Sequence, residues 1–208
     1  MDVESILSKN GITELRPGQK RAVEEGLKDG VSQLICTPTA SGKTLIAEIA
    51  FLSHILNGRG KVIYIVPLKA LAAEKYNEFK KKYDFKIALS IGDLDKTDSH
   101  LANYDLIICT AEKLDSMLRH HVPWLSSVSL LVVDEIHLLN DPGRGPTLEI
   151  LLTIIRRVLK GVQLLGLSAT IGNPEELAEW LGAKLIIDTW RPVDLYKGVY
   201  LDGKVEFE

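Results

Sequence analysis

Seven short apolar segments rich in β-branched residues recur along the chain, and most of them are continuous rather than alternating in polarity. Continuous apolar runs of this length are typical of strands that are buried on both faces, as in a parallel sheet. The pattern therefore predicts a sheet that is covered on both sides. The segments are residues 33–36, 61–66, 86–91, 106–109, 129–133, 163–167 and 184–187.

Longer amphipathic segments lie between most of these strands, and a further helix is predicted to begin at Asn173 and Pro174. Asparagine favours the cap of a helix, and proline favours its first turn. Strands that alternate with helices are typical of an α/β fold with right-handed crossovers. We therefore expect a mostly parallel central sheet of about seven strands with helices on both faces. The other predicted helices lie in residues 44–57, 68–82, 111–120 and 147–160.

The composition is that of an ordinary globular protein, with 208 residues of which 46% are hydrophobic and 25% charged. The formal net charge of −3 gives no sign of an overall basic surface for nucleic acid, although a local groove can still be basic. No apolar segment is long enough to predict a signal peptide or a membrane span. Cys36 and Cys109 lie in apolar segments, so we expect buried, reduced thiols in a cytoplasmic protein. We expect one domain in residues 1–190 and a polar tail in residues 191–208.

A candidate phosphate-binding loop follows the first predicted strand and opens a helix, which is the context that a Walker A loop requires. Backbone N–H groups of such a loop surround phosphate oxygens, and the helix N-terminus adds partial positive charge. We expect Lys43 to reach the β and γ phosphates and the Thr44 hydroxyl to bind Mg²⁺. The loop departs from the strict pattern, because Thr37 stands where a glycine is usual; a plain helix cap with a surface lysine is the alternative. The nucleotide-binding candidates are Pro38, Thr39, Ala40, Ser41, Gly42, Lys43 and Thr44.

Two carboxylates end another predicted strand, where Asp134 and Glu135 follow the apolar residues 129–133. At such a strand end, Asp134 can hold a metal ion through water, and Glu135 can orient and deprotonate the attacking water. Two adjacent acids also occur as solvated loop residues. A later strand ends in Ser168 and Thr170, and ligands of open parallel sheets lie beyond the carboxyl ends of the strands. We therefore expect the phosphate loop, the two acids and Ser168 to meet at one edge.

The order of Gln19, TASGKT, PLKALA, DEIH and SAT resembles the first motor domain of a superfamily-two DExH-box helicase. The resemblance covers nearly the whole chain and is most specific to the archaeal Hjm-type (Holliday junction migration) DNA helicases, on residues 144–149 and 190–193 among others. It implies a RecA-like P-loop NTPase fold that uses ATP and Mg²⁺. It also implies translocation on single-stranded DNA, 3′ to 5′, with unwinding of forked or branched DNA in repair and recombination. Residues 1–190 would be the first motor domain, and residues 191–208 would lead toward a second one.

The same resemblance implies roles for individual residues. Gln19 would read the adenine edge, and a capping glutamine is the alternative. Lys43, Asp134 and Glu135 would be catalytic, with Thr44 and Asp134 at the metal. Residues implied to contact a nucleic-acid strand are Pro67, Lys69, Gly92, Asp93, Thr110, Lys113 and Arg144, and those implied to couple the ATP site to the strand are His137, Ser168 and Thr170. Lys69 and Lys113 could instead be solvated helix-start residues, and Arg144 could instead hold its own loop.

Helicases of this family build the ATP site between two motor domains, and the second one supplies arginines worth about 10³–10⁵ in rate in related enzymes. We therefore expect this chain to bind nucleotide weakly, to hydrolyse it poorly and not to unwind by itself. The expected partners are single-stranded or forked DNA, with RNA as an alternative, and the second motor domain in cis; we expect a monomer without membrane contact. Three other interpretations stay open: an RNA helicase of the exosome-associated branch, a metabolic kinase and a catalytically silent ATP-binding adaptor.

Overall fold

A single parallel sheet forms the centre of the molecule in the computed structural model, which describes residues 3–92, 98–193, 196 and 198–207. Each strand pairing in this sheet is parallel. Its strands are β1 Gln33–Cys36, β2 Lys61–Ile65, β3 Ile87–Ser90, β4 Leu106–Cys109, β5 Val128–Val133, β6 Gln163–Ser168 and β7 Lys184–Ile187. Their order across the sheet is β3-β4-β2-β5-β6-β1-β7, so β6 lies between β5 and β1.

Seven α-helices surround the sheet in the described part of the chain, and short 3₁₀ turns connect several elements. Helices α3, α4 and α5 each begin immediately after a short loop that follows a strand, as the alternating pattern predicts. Asn173 stands at the N-cap position of α7 with Pro174 in the first turn, as predicted, but its side chain makes no capping hydrogen bond. The helices are α1 Val3–Lys9, α2 Pro17–Glu24, α3 Lys43–Leu56, α4 Lys69–Lys82, α5 Ala111–Arg119, α6 Gly145–Val158 and α7 Pro174–Leu181.

The sheet separates two apolar cores, because successive side chains of a strand point to opposite faces. On β5, Leu130 and Val132 pack with helices α1 to α4, whereas Leu131 and Val133 pack with helices α5 to α7. All four side chains are fully buried. A strand buried on both faces offers few positions to polar side chains, which explains the continuous apolar sequence of residues 130–133. The predicted α/β fold with helices on both faces is therefore confirmed.

An aromatic cluster fixes helix α4 against helix α3. The Phe51 ring lies edge-on to Phe79 and to Tyr83, with centroid distances of 5.1 and 5.5 Å. The Tyr64 ring of β2 lies 5.6 Å from Phe79 and joins the same cluster. Aromatic pairs of this kind contribute about 0.5–1.5 kcal/mol each beyond their buried area. The cluster therefore sets the position of the polar side chains that α3 and α4 present to each other.

The segment that the sequence analysis treats as a polar tail contains a two-stranded antiparallel hairpin, formed by β8 Gly198–Leu201 and β9 Lys204–Phe207. Its turn residues Asp202 and Gly203 both have positive φ, of 48° and 81°. An Asp-Gly pair in this conformation favours a tight hairpin, because the twist of the turn matches that of the strands. The Asp-Gly pair is therefore a hairpin signal in the sequence, although the apolar pattern of residues 191–208 predicts only a polar tail.

Both cysteines are buried and free, as expected. Burial in apolar surroundings raises the pKa of Cys36 to about 11 and that of Cys109 to about 12, so both stay protonated thiols. In the described residues, no helix has the length and apolar character needed to cross a bilayer.

Candidate ATP site and nucleic-acid interface

The carboxyl ends of β1, β6 and β5 bring three separate segments to one edge of the sheet. The backbone N–H of Thr37, where the phosphate loop begins, donates to the carbonyl oxygen of Ser168 at 3.3 Å. The N–H of Asp134 donates to the carbonyl oxygen of Ile65 at 2.9 Å on the adjacent strand β2. The phosphate loop, the acidic pair and Ser168 therefore share the edge at which open parallel sheets bind ligands.

The phosphate loop is a compact turn with two residues in the left-handed region, Ala40 at φ 66° and Gly42 at φ 92°. The Thr37 and Ser41 hydroxyls are buried and 2.7 Å apart, so they close the base of the loop. Pro38 is buried as well, whereas Thr39 and Ala40 are exposed at the tip. The hydroxyl of Thr37 therefore has a structural role at the position where a glycine is usual.

Lys43 folds back over this loop. Its Nζ donates to the carbonyl oxygens of Thr37 at 3.0 Å and of Pro38 at 3.3 Å. Both acceptors are neutral backbone groups, and charge-assisted hydrogen bonds to anionic oxygens are the stronger kind. A phosphate at the loop would therefore be a better acceptor for this ammonium group than either carbonyl oxygen.

The amide of Gln19 is buried and used within the protein. Its Oε1 accepts from the backbone N–H of Arg16 at 2.9 Å, and its Nε2 donates to the carbonyl oxygen of Gly42 at 3.0 Å. The first contact caps helix α2, which is the alternative role stated for this residue; the second ties the cap to the phosphate loop. A Cβ atom at Gly42 would lie 2.4 Å from Nε2 and would displace the Gln19 amide, and the φ of 92° also favours glycine. Its assignment to the adenine edge stays a prediction that requires the amide to exchange these partners.

Arg16 adds a second link from helix α2 to the phosphate loop. Its Nη1 donates to the carbonyl oxygen of Ala40 at 2.9 Å, and its guanidinium lies 4.9 Å from the centre of the Trp190 ring. A cation over an aromatic face is attracted to the ring by about 0.5–1 kcal/mol at exposed sites. Arg16 is not among the predicted site residues, and no sequence motif identifies its partner.

Asp134 is 9% exposed, and the contacts of both its carboxylate oxygens are defined. Oδ2 accepts from the hydroxyl of Tyr64 at 2.9 Å, and Oδ1 accepts from the backbone N–H of Glu135 at 3.0 Å. Burial raises the pKa of Tyr64 well above its ordinary value, and the neighbouring Asp134 carboxylate raises it further. Tyr64 therefore remains a neutral hydrogen-bond donor at any ordinary pH.

Glu135 has a positive φ of 51°, which is unusual for a residue with a side chain. This conformation turns the chain out of β5, and the carboxylate is partly exposed. Its Oε2 lies 3.3 Å from Nδ1 of His137, and the same nitrogen lies 3.4 Å from the backbone N–H of Ala169. His137 therefore connects the acidic pair to the segment after β6. Ser168, the last residue of β6, is fully buried, and Thr170 in the following segment is exposed.

Thr44 and Asp134 offer the hard oxygen ligands that Mg²⁺ prefers, a hydroxyl and a carboxylate. Among the described residues, no group of three or more His, Cys, Asp or Glu side chains could hold a metal ion without further ligands. This fits Mg²⁺, which usually binds through one or two protein ligands together with substrate phosphates. A series of contacts connects the two residues: Lys75 donates to the Thr44 hydroxyl at 3.1 Å and lies 5.9 Å from the Phe79 ring, which also contacts Tyr64.

The residues predicted to contact a nucleic-acid strand at the same edge are partly accessible. Pro67 is half-buried in the turn after β2, and Lys69 is exposed as the first residue of α4. Gly92 is exposed after β3, whereas Asp93 lies outside the described residues. Pro67 also lines a small pocket together with Asp134, Glu135 and Arg144. The structure thus places Pro67, which is predicted to contact a nucleic-acid strand, next to the acidic pair.

The predicted contacts near helix α5 are less accessible than the sequence suggested. Thr110 is buried at the residue before α5, and Lys113 is 2% exposed with its Nζ 2.5 Å from Asp98 Oδ2. The expectation that Lys113 is either a solvated residue or a surface contact for nucleic acid does not fit this conformation, because its charge is neutralised in the interior. Arg144 has an exposed side chain, and its backbone N–H donates to Asp141. Its two proposed roles both stay open.

Comparison with known proteins gives the family of this chain. Residues 16–177 match the DEAD/DEAH box helicase family, which is more than half of the chain. The chain belongs to the DEAD/DEAH box helicases. It is 59% identical over 211 residues to a protein of Methanocaldococcus jannaschii named ATP-dependent DNA helicase Hel308, covering 97% of this chain and 17% of that protein. It is 53% identical to the Pyrococcus horikoshii protein of the same name, covering 99% of this chain and 29% of the relative. The chain therefore spans less than a third of the length of these relatives.

Solved structures give the same classification. The crystal structure of the DUF1998 helicase MrfA bound to DNA superposes with a TM-score of 0.76 at 28% identity, over 89% of this chain and 29% of that one. The crystal structure of MrfA bound to DNA and AMPPNP superposes with a TM-score of 0.75 at 27% identity, over 88% and 28%. The predicted resemblance to a helicase motor domain with a RecA-like fold is therefore confirmed.

Proposed function

We propose that this chain is the first, ATP-binding motor domain of an ATP-dependent DNA helicase. In this proposal residues 1–190 form the motor domain, and residues 191–208 lead toward a second motor domain that completes the site in cis. The main support is that the phosphate loop, the acidic pair and Ser168 lie at one sheet edge in a chain 59% identical to a relative named as a DNA helicase. We further propose a cytoplasmic protein that acts as a monomer.

The phosphate loop and helix α3 would hold the triphosphate of ATP. Lys43 would exchange its two carbonyl acceptors for phosphate oxygens, and the N-terminus of α3 would add partial positive charge. Mg²⁺, when bound, neutralises phosphate charge during transfer. Thr44 would bind it directly, and Asp134 would bind it through water, with Tyr64 fixing the orientation of the carboxylate.

Glu135 would act as the general base that deprotonates the attacking water. It is more exposed than Asp134, and it lies beside the pocket lined by Pro67 and Arg144. His137 would transmit changes at Glu135 to the segment that contains Ser168 and Thr170. A partly exposed carboxylate within reach of a bound water is suited to this role.

The strand of nucleic acid would cross the exposed ends of β2, β3 and α6. Lys69 and Arg144 are accessible cations there, and phosphate contacts by such residues position a strand without reading its sequence. Pro67, Gly92, Asp93 and the backbone around Thr110 would complete the path. DNA is the proposed substrate because the relatives are named DNA helicases and MrfA was crystallised with DNA. Movement from 3′ to 5′ on forked or branched DNA, in repair or recombination, belongs to the same proposal.

The test uses the natural polypeptide that contains this chain together with its second motor domain. ATP turnover is measured with single-stranded DNA and with RNA of equal length. Glu135→Gln should retain nucleotide binding and lose stimulated turnover, whereas Lys43→Ala should lose nucleotide binding. Stimulation by RNA only would favour the RNA helicase alternative. Nucleotide binding without measurable turnover in the unchanged polypeptide, and therefore no loss in Glu135→Gln, would identify a catalytically silent adaptor. Phosphate transfer to a small molecule would identify a kinase.

A further inference from the structure

Lys75 contacts the site but has no role in the function proposed above. Its Nζ donates to the Thr44 hydroxyl at 3.1 Å and lies 3.2 Å from Glu78 Oε2, and its side chain is only 12% exposed. The oxygen that is assigned to the divalent cation thus already accepts a hydrogen bond from a positively charged group. If this oxygen also bound a divalent cation, the cation and the Lys75 ammonium group would repel each other at close range. The repulsion would be strong because the site is mostly buried.

The position of Lys75 follows from the register of two packed helices. Thr44 and Glu48 are one turn apart on α3, and Lys75, Glu78 and Lys82 lie along one face of α4, which is the spacing that places side chains on a common stripe. Lys82 Nζ lies 3.1 Å from both carboxylate oxygens of Glu48 and 3.5 Å from Glu78. Lys75 is therefore the last residue in a row of alternating charges that α3 and α4 share. Glu78 is a second hydrogen-bond acceptor within reach of its ammonium group.

We propose, on the basis of the proposed function, that Lys75 is a positioning residue that competes with the divalent cation for the Thr44 hydroxyl. The ammonium group donates to Thr44 when this oxygen carries no metal. It keeps only its contact with Glu78 when a divalent cation takes the oxygen. Removing the charge should therefore make the cation bind more tightly, and removing the second acceptor should make it bind more weakly.

In the test, Mg²⁺ is titrated into a mixture of this chain and a fluorescent ATP analogue, and binding of the analogue is measured. The ionic strength is kept low so that charge effects are not screened. Lys75→Met keeps most of the length of the side chain and removes its charge. We expect the Mg²⁺ concentration at half-maximal binding to fall on the order of threefold or more. Binding of the analogue in EDTA should change less than the Mg²⁺ midpoint, and Lys75→Arg should stay closer to the unchanged chain than Lys75→Met does.

Two further variants distinguish this role from a structural one. Lys82→Met removes a charge from the same helix without touching Thr44, so its Mg²⁺ midpoint should shift less than that of Lys75→Met. Glu78→Gln weakens the alternative acceptor and should raise the midpoint, a shift in the opposite direction to Lys75→Met. Glu78→Gln also keeps the test decisive if Lys75→Met does not fold, as judged by thermal unfolding.

The results separate this inference from the proposed function. Binding of the analogue without any dependence on Mg²⁺ in the unchanged chain would count against the proposed function itself. Mg²⁺-dependent binding with an unchanged or raised midpoint in Lys75→Met would overturn only the role of Lys75. The same holds if Lys82→Met lowers the midpoint as much as Lys75→Met does, because the effect would then be general electrostatics of α4.

Discussion

The buried hydrogen bond from Tyr64 to Asp134 should contribute measurably to the free energy of unfolding. Tyr64→Phe keeps the ring, and so keeps its edge contact with Phe79, but it removes the donor 2.9 Å from Oδ2 of Asp134. A hydrogen bond to a charged acceptor contributes about 1.5–3 kcal/mol, and at 9% exposure the carboxylate has little access to replacement water. For a chain of this size about 1 kcal/mol corresponds to roughly 2–4 °C, so the unfolding midpoint should fall by about 3–12 °C.

Thermal and urea unfolding of the variant measure this loss, and Tyr76→Phe is the matched control. The Tyr76 hydroxyl accepts from Lys80 at 2.9 Å in an exposed position, so its removal should cost less than about 0.5 kcal/mol. Equal effects of the two substitutions would refute the reasoning, because the burial of the Tyr64 bond would then have no energetic consequence. The Mg²⁺ midpoint for nucleotide binding should also rise in Tyr64→Phe, since Asp134 would lose its fixed orientation.

Three further predictions follow from other residues. Lys113→Met should destabilise the chain by about 3–5 kcal/mol in urea unfolding, because it leaves the Asp98 carboxylate without its buried partner; a loss below about 1 kcal/mol would mean that the pair is solvated. Burial lowers the pKa of His54, whose ring also lies 2.6 Å from Gln163. As the pH falls, the unfolded chain therefore takes up a proton at a higher pH than the folded chain does. The contribution of neutral His54 to stability should be complete above about pH 6.5 and fall as the pH drops below it. In thermal unfolding, His54→Gln should reduce the dependence of the midpoint on pH. An equal pH dependence in the variant and the unchanged chain would exclude His54 as its source. Gly42→Ala should abolish binding of a fluorescent ATP analogue, because φ 92° and a 2.4 Å clash both oppose a side chain; retained binding would show that the loop can re-form around it.

The sheet could be predicted from sequence because burial on both faces removes polar residues from the strands. Leu130, Leu131, Val132 and Val133 carry this signal within a single strand. The β8–β9 hairpin was missed for the complementary reason, since its strands are exposed and its only strong local signal is the turn at residues 202–203. Helices α1 and α2 were missed too, because short helices at the edge of a domain present few apolar positions.

The candidate site could be predicted only where one contiguous segment carries the chemistry. The phosphate loop and the acidic pair are such segments, because strand, turn and helix follow one another in the chain. The contacts of Lys113, Gln19 and Tyr64 depend on partners 15 to 70 residues away, as with the Tyr64–Asp134 bond. No local pattern encodes such a partner. Tyr64 still offered a weak signal, since it is the one polar side-chain end inside the apolar part of β2.

Helix α4 offers a direct physical route between the two predicted activities of the domain. It begins at Lys69, in the predicted strand contact, and reaches the Thr44 hydroxyl at Lys75, six residues and about 9 Å further along its axis. The edge-on packing of Phe79 against Phe51 ties the helix to α3, which carries the phosphate loop at its N-terminus. Close-packed interiors transmit displacement rather than absorb it. We therefore propose that a nucleic-acid strand bound at Lys69 would displace the Lys75 ammonium group at Thr44 through helix α4.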